Sequence, residues 1–103
     1  MLETQPVAVV VPVLNEAESL PGLLADLKAQ LPPLAEVVVV DAGSHDGTRE
    51  LLQREKRRFP TLVVLEADGA SPGRGRNEGI AAAGAGLVVT LDAGSRVGPG
   101  FVA

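Results

Sequence analysis

Asp41, Asp92 and Glu16 are carboxylates that each stand just after an apolar run, Arg74 and Arg76 lie in one glycine-rich segment, and Asn15 and Ser44 stand near the acids. Carboxylates accept hydrogen bonds from ribose hydroxyls and from the N–H edge of a base, whereas arginines present planar forks to phosphate oxygens. Brought to one rim, the two sets suit a ligand that carries both kinds of group, as a nucleotide does. Taken singly, most of these residues also have a plain structural reading. Asp41 can cap the turn that follows it, Asp46 reads as a helix cap rather than a ligand group, and His45 reads as an exposed side chain of a polar turn. Arg76 is different. A cation at a helix start opposes the macrodipole, so its position asks for an anionic partner, either Glu78 or a bound phosphate.

A rigid scaffold must deliver these groups together. Residues 37–40 are four consecutive valines without polar alternation, the pattern of a strand buried on both faces of a parallel sheet. Similar runs occupy residues 7–11, 62–65 and 87–91. Pro12 has no N–H and marks the place where the first strand's ladder ends or loses one partner. Asn15 with Glu18 resembles a capping box, although Pro21 moves the regular helix to a start after Ser19. Leu20, Leu23, Leu24, Leu27 and Leu31 then follow the spacing of one buried helical stripe, stopped by Pro32 and Pro33. After Asp41, residues 42–47 form a polar turn in which Ser44 or Asp46 caps a second helix; Leu51, Leu52 and Phe59 face inward and Pro60 ends it. Arg54, Lys56, Arg57 and Arg58 crowd the last turns of that helix, where cations complement the dipole, and read as a solvated helix end. Residues 69–75 read as a loop, Arg74, Arg76 and Asn77 open a short third helix through Ile80 and Ala83, and residues 84–86 end it.

Strands alternating with helices through right-handed crossovers give a three-layer α/β/α, Rossmann-like fold, with a parallel sheet most simply ordered 3-2-1-4. The order reverses between strands 1 and 4. Ligands bind outside the strand carboxyl ends at such a switch point. The predicted crevice is lined by Asn15 and Glu16, by Asp41 and Ser44, and by Asp92 to Ser95, with Arg74 and Arg76 reaching it from the loop.

Composition removes several alternatives. The chain of 103 residues is expected to be a single domain. A net charge of -4 and the absence of Trp and Tyr argue against nucleic acid as a partner. Without cysteine there is no disulfide, thiolate or cysteine–zinc chemistry. The apolar runs are too short to span a bilayer and residues 1–6 lack the pattern of a signal peptide, so a cytoplasmic location is expected. The first strand-to-helix turn has no glycine, which excludes the dinucleotide fingerprint, and no Gly-Lys-Ser/Thr phosphate loop occurs. Residues 97–103 begin another element that ends before it can bury anything, which reads as the first part of a longer protein. The fourth strand leaves an unpaired edge, so a homodimer through that edge is also an expectation.

Three segments in order resemble the motifs of inverting family 2 glycosyltransferases of the GT-A fold. Residues 11–16, VPVLNE, match the opening P-x-x-N-E; residues 40–48, VDAGSHDGT, match D-x-x-S-x-D-G-T; residues 76–79, RNEG, match R-N-x-G. The resemblance covers nearly the whole chain and implies the amino-terminal, nucleotide-sugar-binding half of such an enzyme, incomplete at the C-terminus. It implies that Asp41 hydrogen-bonds the base, that Pro12 and Glu16 shape the same pocket, and that Arg76 with Arg74 contacts the base or the diphosphate. Asp92 falls on the first aspartate of the family's D-x-D motif, which touches the ribose and the Mg²⁺ or Mn²⁺ site. The second aspartate, the usual direct metal ligand, is replaced by Gly94, so weak metal binding through Asp92 is expected. The general base that deprotonates the acceptor hydroxyl is expected beyond Ala103. The resemblance thus implies transfer of a sugar from a nucleotide diphosphate donor with inversion; the alternative is a non-catalytic nucleotide-binding or assembly module with a degraded metal site.

Overall fold

In a computed structural model describing residues 6–30, 33–84 and 86–101, the four apolar runs become parallel strands, and the two at residues 7–11 and 37–40 are buried on both faces, whereas Leu87 and Thr90 of the last are exposed. In chain order the elements are β1 (Val7–Val13), α1 (Leu20–Lys28), β2 (Glu36–Asp41), α2 (Thr48–Lys56), β3 (Leu62–Glu66), α3 (Pro72–Ala82) and β4 (Leu87–Thr90). The sheet order is β3-β2-β1-β4, all parallel, as the crossovers require. Leu31 and Pro32, assigned above to the end of the first stripe and its stop, and Ala85, between the third helix and the fourth strand, lie outside the described residues.

Alternate residues of the central strands serve opposite layers. Val9, Val11, Val37 and Val39 pack with Leu20, Leu23, Leu24 and Leu27 of α1 and with Leu52 and Phe59 at α2, while Val10, Val38 and Val40 face α3. Arg54, Lys56, Arg57 and Arg58 are all exposed, as a solvated helix end should be. Pro12 stays inside β1 opposite Val40, yet pairing with β4 ends at Val10 and Thr90. Its missing N–H falls on the β4 side, since the carbonyl of Val10, two residues earlier, accepts from Leu91 on that side. The proline therefore costs the ladder nothing.

Two sequence readings are corrected here. Residues 72–75 are not loop: Ser71 caps α3 by accepting from the Arg74 N–H at 3.2 Å, and Pro72 follows at the first turn, where its fixed φ suits a helix start. Asn15 caps no helix. It adopts φ 53°, turns the chain out of β1, and commits its side chain to the neighbouring loop.

The glycines of α3 set how closely that helix approaches the sheet. A Cβ on Gly79 would lie 2.3 Å from Val10 Cγ1 and 3.2 Å from Val40 Cγ2; one on Gly75 would lie 3.3 Å from Pro12 Cβ. Val10 is fully buried in a central strand and has no room to withdraw. We expect Gly79→Ala to destabilise the domain by about 1–2 kcal/mol, overpacking outweighing the gain in helix propensity, with Gly73→Ala near neutral as control. Thermal melts of both variants check this; an unchanged melting temperature for Gly79→Ala would show that α3 does not sit against the sheet as described.

Candidate active site

The carboxyl end of β2 is bonded to the end of β1 on one side and to the loop after β3 on the other. The Ala42 N–H donates to the Val13 carbonyl at 2.9 Å, the Ala67 N–H donates to the Asp41 carbonyl at 2.8 Å, and the Gly69 N–H donates to the Ala42 carbonyl at 2.9 Å. The Asp41 side chain is fully buried there. Its Oδ1 accepts from the Ser44 N–H at 3.1 Å and the Ser44 hydroxyl at 2.5 Å, and its Oδ2 accepts from Arg49 Nε at 2.5 Å. Burial pushes the Asp41 carboxyl up, but the bonds from Ser44 and Arg49 outweigh it and hold the group below the ordinary carboxylate range. Arg49 also pairs with Asp68 and lies 3.9 Å from Glu66, which joins α2 to the loop after β3. Its guanidinium is pushed up, chiefly by the hydrogen bond to Asp41.

The same loops are stitched along their length. The Asn15 N–H donates to Ser44 Oγ at 2.8 Å, and Asn15 Oδ1 accepts from the His45 N–H at 2.8 Å. The Glu16 N–H donates to Thr48 Oγ1 at 3.1 Å, the Thr48 hydroxyl donates to Asp46, and Asp46 Oδ2 accepts from the Ala17 N–H at 3.1 Å. Asp46 also accepts from the Thr48 N–H at 3.1 Å; the N-cap of α2 is Gly47, not Asp46 or Ser44, and Asp46 acts from the residue before it, tying the helix start to the first loop. His45 is exposed, as expected. Among the described residues no buried side-chain nitrogen or oxygen lacks a partner.

Beside this network a cavity of about 230 Å³ opens at the strand ends, lined by Pro12, Glu16 and Ala42 from the first two strands and the loops after them, by Ser71 and Gly75 from the start of α3, and by Asp92 and Gly94 after β4. A second depression of about 320 Å³ adjoins it, lined by Arg76, Thr90, Leu91, Asp92 and Ser95. Asp92 belongs to both. Ligand sites commonly measure roughly 300–1,000 Å³, so each hollow suits part of a nucleotide-sized molecule. Arg74 pairs with Glu78 at 3.3 Å, which leaves the half-buried Arg76 without a carboxylate partner among the described residues. Of the residues singled out in the sequence, Pro12, Glu16, Asp92 and Arg76 thus line the hollows. Asn15, Asp41 and Ser44 form the network behind them, and Arg74 points to Glu78.

Arg49 was not singled out, and a signal for it exists. It is a cation in the first turn of α2, where the dipole disfavours it, so it needed anions; Arg76, expected at a helix start, lies instead in the second turn of α3, because that helix begins at Pro72. For a divalent cation the described residues offer no group of three or more His, Cys, Asp or Glu. Asp92 fits as one protein ligand, since Mg²⁺ and Mn²⁺ are commonly held by one or two carboxylates together with substrate phosphates.

Asp41 and Asp46, both held below their ordinary pKa, contribute stability that is complete above the ordinary carboxylate range and is lost as pH falls through the depressed values. We expect Asp41→Asn to melt well below the parent at pH 7, the gap narrowing as both are taken to about pH 3. A gap that does not change with pH, followed by circular dichroism, would remove the Asp41 charge from the stability of the loops.

Comparison with known proteins agrees with this arrangement. The sequence profile described as Glycosyl transferase family 2 matches residues 8–102. The succinoglycan biosynthesis protein ExoA of Rhizobium meliloti is 36% identical over 88 residues, which cover 82% of this chain and 27% of that protein. The mannosyltransferase PcManGT of Pyrobaculum calidifontis, solved with GDP-Man and Mn²⁺, superposes with a TM-score of 0.84 at 31% identity, over 91% of this chain and 29% of that one. TarS of S. aureus, solved with UDP-GlcNAc, gives 0.81 at 28% identity, over 90% of this chain and 28% of that one. The chain therefore has the GT-A fold and spans 27% of the length of ExoA.

Proposed function

The chain belongs to glycosyl transferase family 2, and on that premise we propose that it is the donor-binding half of an inverting, cytoplasmic glycosyltransferase. The observation that carries this is the pair of hollows at the strand ends, with Asp92 shared between them and Arg76 beside it without a carboxylate partner among the described residues. The nucleoside occupies the cavity between Pro12 and Glu16 on one side and Asp92 on the other, with the Asp92 carboxylate accepting from ribose hydroxyls. Arg76 takes the diphosphate, and Arg74 joins it when released from Glu78. Asn15, Asp41 and Ser44 hold the loops that form the first wall. Direct contact between Asp41 and a base requires Arg49 to give up one carboxylate oxygen.

In the transfer itself, the acceptor oxygen forms a bond to the anomeric carbon from the face opposite the diphosphate. The bond from that carbon to the diphosphate breaks, and the acceptor proton passes to a base outside this chain. Negative charge grows on the departing diphosphate, and Arg76 is placed to stabilise it. A divalent cation held by Asp92 would supply further charge neutralisation when bound. Position 94 is open, since a Cβ on Gly94 meets nothing within 4 Å, so an aspartate there is accommodated.

Calorimetric titration with UDP and GDP, with and without Mn²⁺, tests the reading. The chain should bind one of them, Arg76→Ala and Asp92→Ala should weaken binding about tenfold or more, as loss of a charge-assisted hydrogen bond does, and Gly94→Asp should make binding more metal-dependent. A folded chain that binds neither nucleotide would sink the donor-site reading. Unchanged metal dependence in Gly94→Asp would favour the non-catalytic module.

A further inference from the structure

The segment after β4 does not simply leave the sheet. Residues 92–95 close a turn in which the Ser95 N–H donates to the Asp92 carbonyl at 3.0 Å, and Ala93 is buried in the core beneath it. Arg96 then lies against α1. It pairs with Asp26 in a two-pronged contact, Nε to Oδ2 at 2.6 Å and Nη2 to Oδ1 at 3.0 Å, and Asp26 Oδ2 also accepts from the Val97 N–H at 3.1 Å. One turn further along α1, the buried Gln30 amide donates to the Gly98 carbonyl at 2.9 Å and accepts from the Phe101 N–H at 3.2 Å. Gly22, one turn earlier, leaves room for the guanidinium: a Cβ there would lie 3.0 Å from Arg96 Nη1.

Gly22, Asp26 and Gln30 are four residues apart and share one face of α1, so the helix presents a bracket to residues 96–101. Of the three, Gln30 follows the last helical residues and completes it. The bracket's charge is well matched. The Arg96 bond holds the Asp26 carboxyl below the ordinary range, assisted by Val97, so the pair stays ionised at neutral pH. None of these residues lines either hollow.

We propose that Asp26 and Gln30 are positioning residues for the donor site: by anchoring residues 96–101 to α1 they fix the turn that carries Asp92. The turn's other end is fixed by the Leu91 N–H, which donates to the Val10 carbonyl at 3.0 Å. Anchored on both sides, the backbone at Asp92 is fixed so that this residue stands between the two hollows without help from a ligand. Preorganisation of this kind lowers the ordering cost of binding. With Arg96 released, the turn keeps its tether at β4, the buried Ala93 and the more distant Gln30 contacts but loses the anchor next to it, and Asp92 samples positions that contact neither the ribose nor a cation.

This inference rests on the donor-site reading for its binding consequence, but not for its structural one, and the test separates them. In Asp26→Asn, hydrogen exchange of the amides of residues 93–97 should rise, while that of Leu14, Glu16 and Gly75 on the cavity's other walls stays at the parent level. UDP or GDP affinity, measured well below the melting temperature, should fall about tenfold, and the charge swap Asp26→Arg with Arg96→Asp should recover much of it. Exchange unchanged at residues 93–97 overturns the bracket, whatever the nucleotide does. Raised exchange with unchanged affinity in a parent that binds nucleotide overturns the positioning role. A parent that binds no nucleotide overturns the donor-site reading and the binding consequence together, leaving exchange to decide the bracket alone.

Discussion

A buried carboxylate at the end of the second strand governs the architecture around the site. Asp41 is carried below the surface by four valines, and an unpaired charge at that depth would cost several kcal/mol. Its oxygens must therefore be filled by whatever the neighbouring loops can bring. Ser44 fills one by folding the turn back on its own strand, and Arg49 fills the other from the first turn of α2. Each partner is itself shared: Ser44 accepts from Asn15, and Arg49 reaches Asp68. Satisfying one charge thus joins the loops that follow β1, β2 and β3.

The opposite wall has a different origin. There the constraint is distance, because α3 must lie close enough to the sheet for Ser71 and Gly75 to line the same cavity as Pro12 and Glu16. Gly75 and Gly79 permit that approach, one over Pro12 and the other over Val10. Charge satisfaction builds one side of the hollow and close packing builds the other. The turn bearing Asp92 is fixed separately, by the Leu91 bond to Val10, by the buried Ala93, and from α1 through Arg96 and Asp26.

Much of this was legible in the residues. Uninterrupted runs such as residues 37–40 indicate strands of a parallel sheet covered on both faces, and the order follows as the simplest arrangement of their right-handed crossovers. Motif residues at strand ends were legible for the same reason, and Pro12, Glu16 and Asp92 do meet around one cavity. The start of α3 was misplaced because a Gly, Ser and Pro composition suggests loop, whereas the order Ser71-Pro72 is a helix start; position within the segment outweighs its composition. Asn15 was misassigned because a capping box is a local pattern, and the bonds it makes are to residues 44 and 45, on another loop. Arg49 shows where sequence reasoning is weakest. Its partners are separated from it by 8 and 19 positions and are specified only by sheet order, although its unfavourable place in a first helical turn was visible.

The most direct test of the site is a two-dimensional amide NMR titration of the chain with UDP and with GDP in the presence of Mg²⁺, which is diamagnetic and leaves the signals near Asp92 observable. The account predicts that the largest shifts fall on Leu14, Glu16, Ser71, Gly75, Ala93 and Gly94, which surround the strand-end cavity. Shifts concentrated on Arg54, Lys56, Arg57 and Arg58 at the far end of α2 would contradict it, because they would place the phosphates on a basic helix end and leave the cavity without a nucleotide.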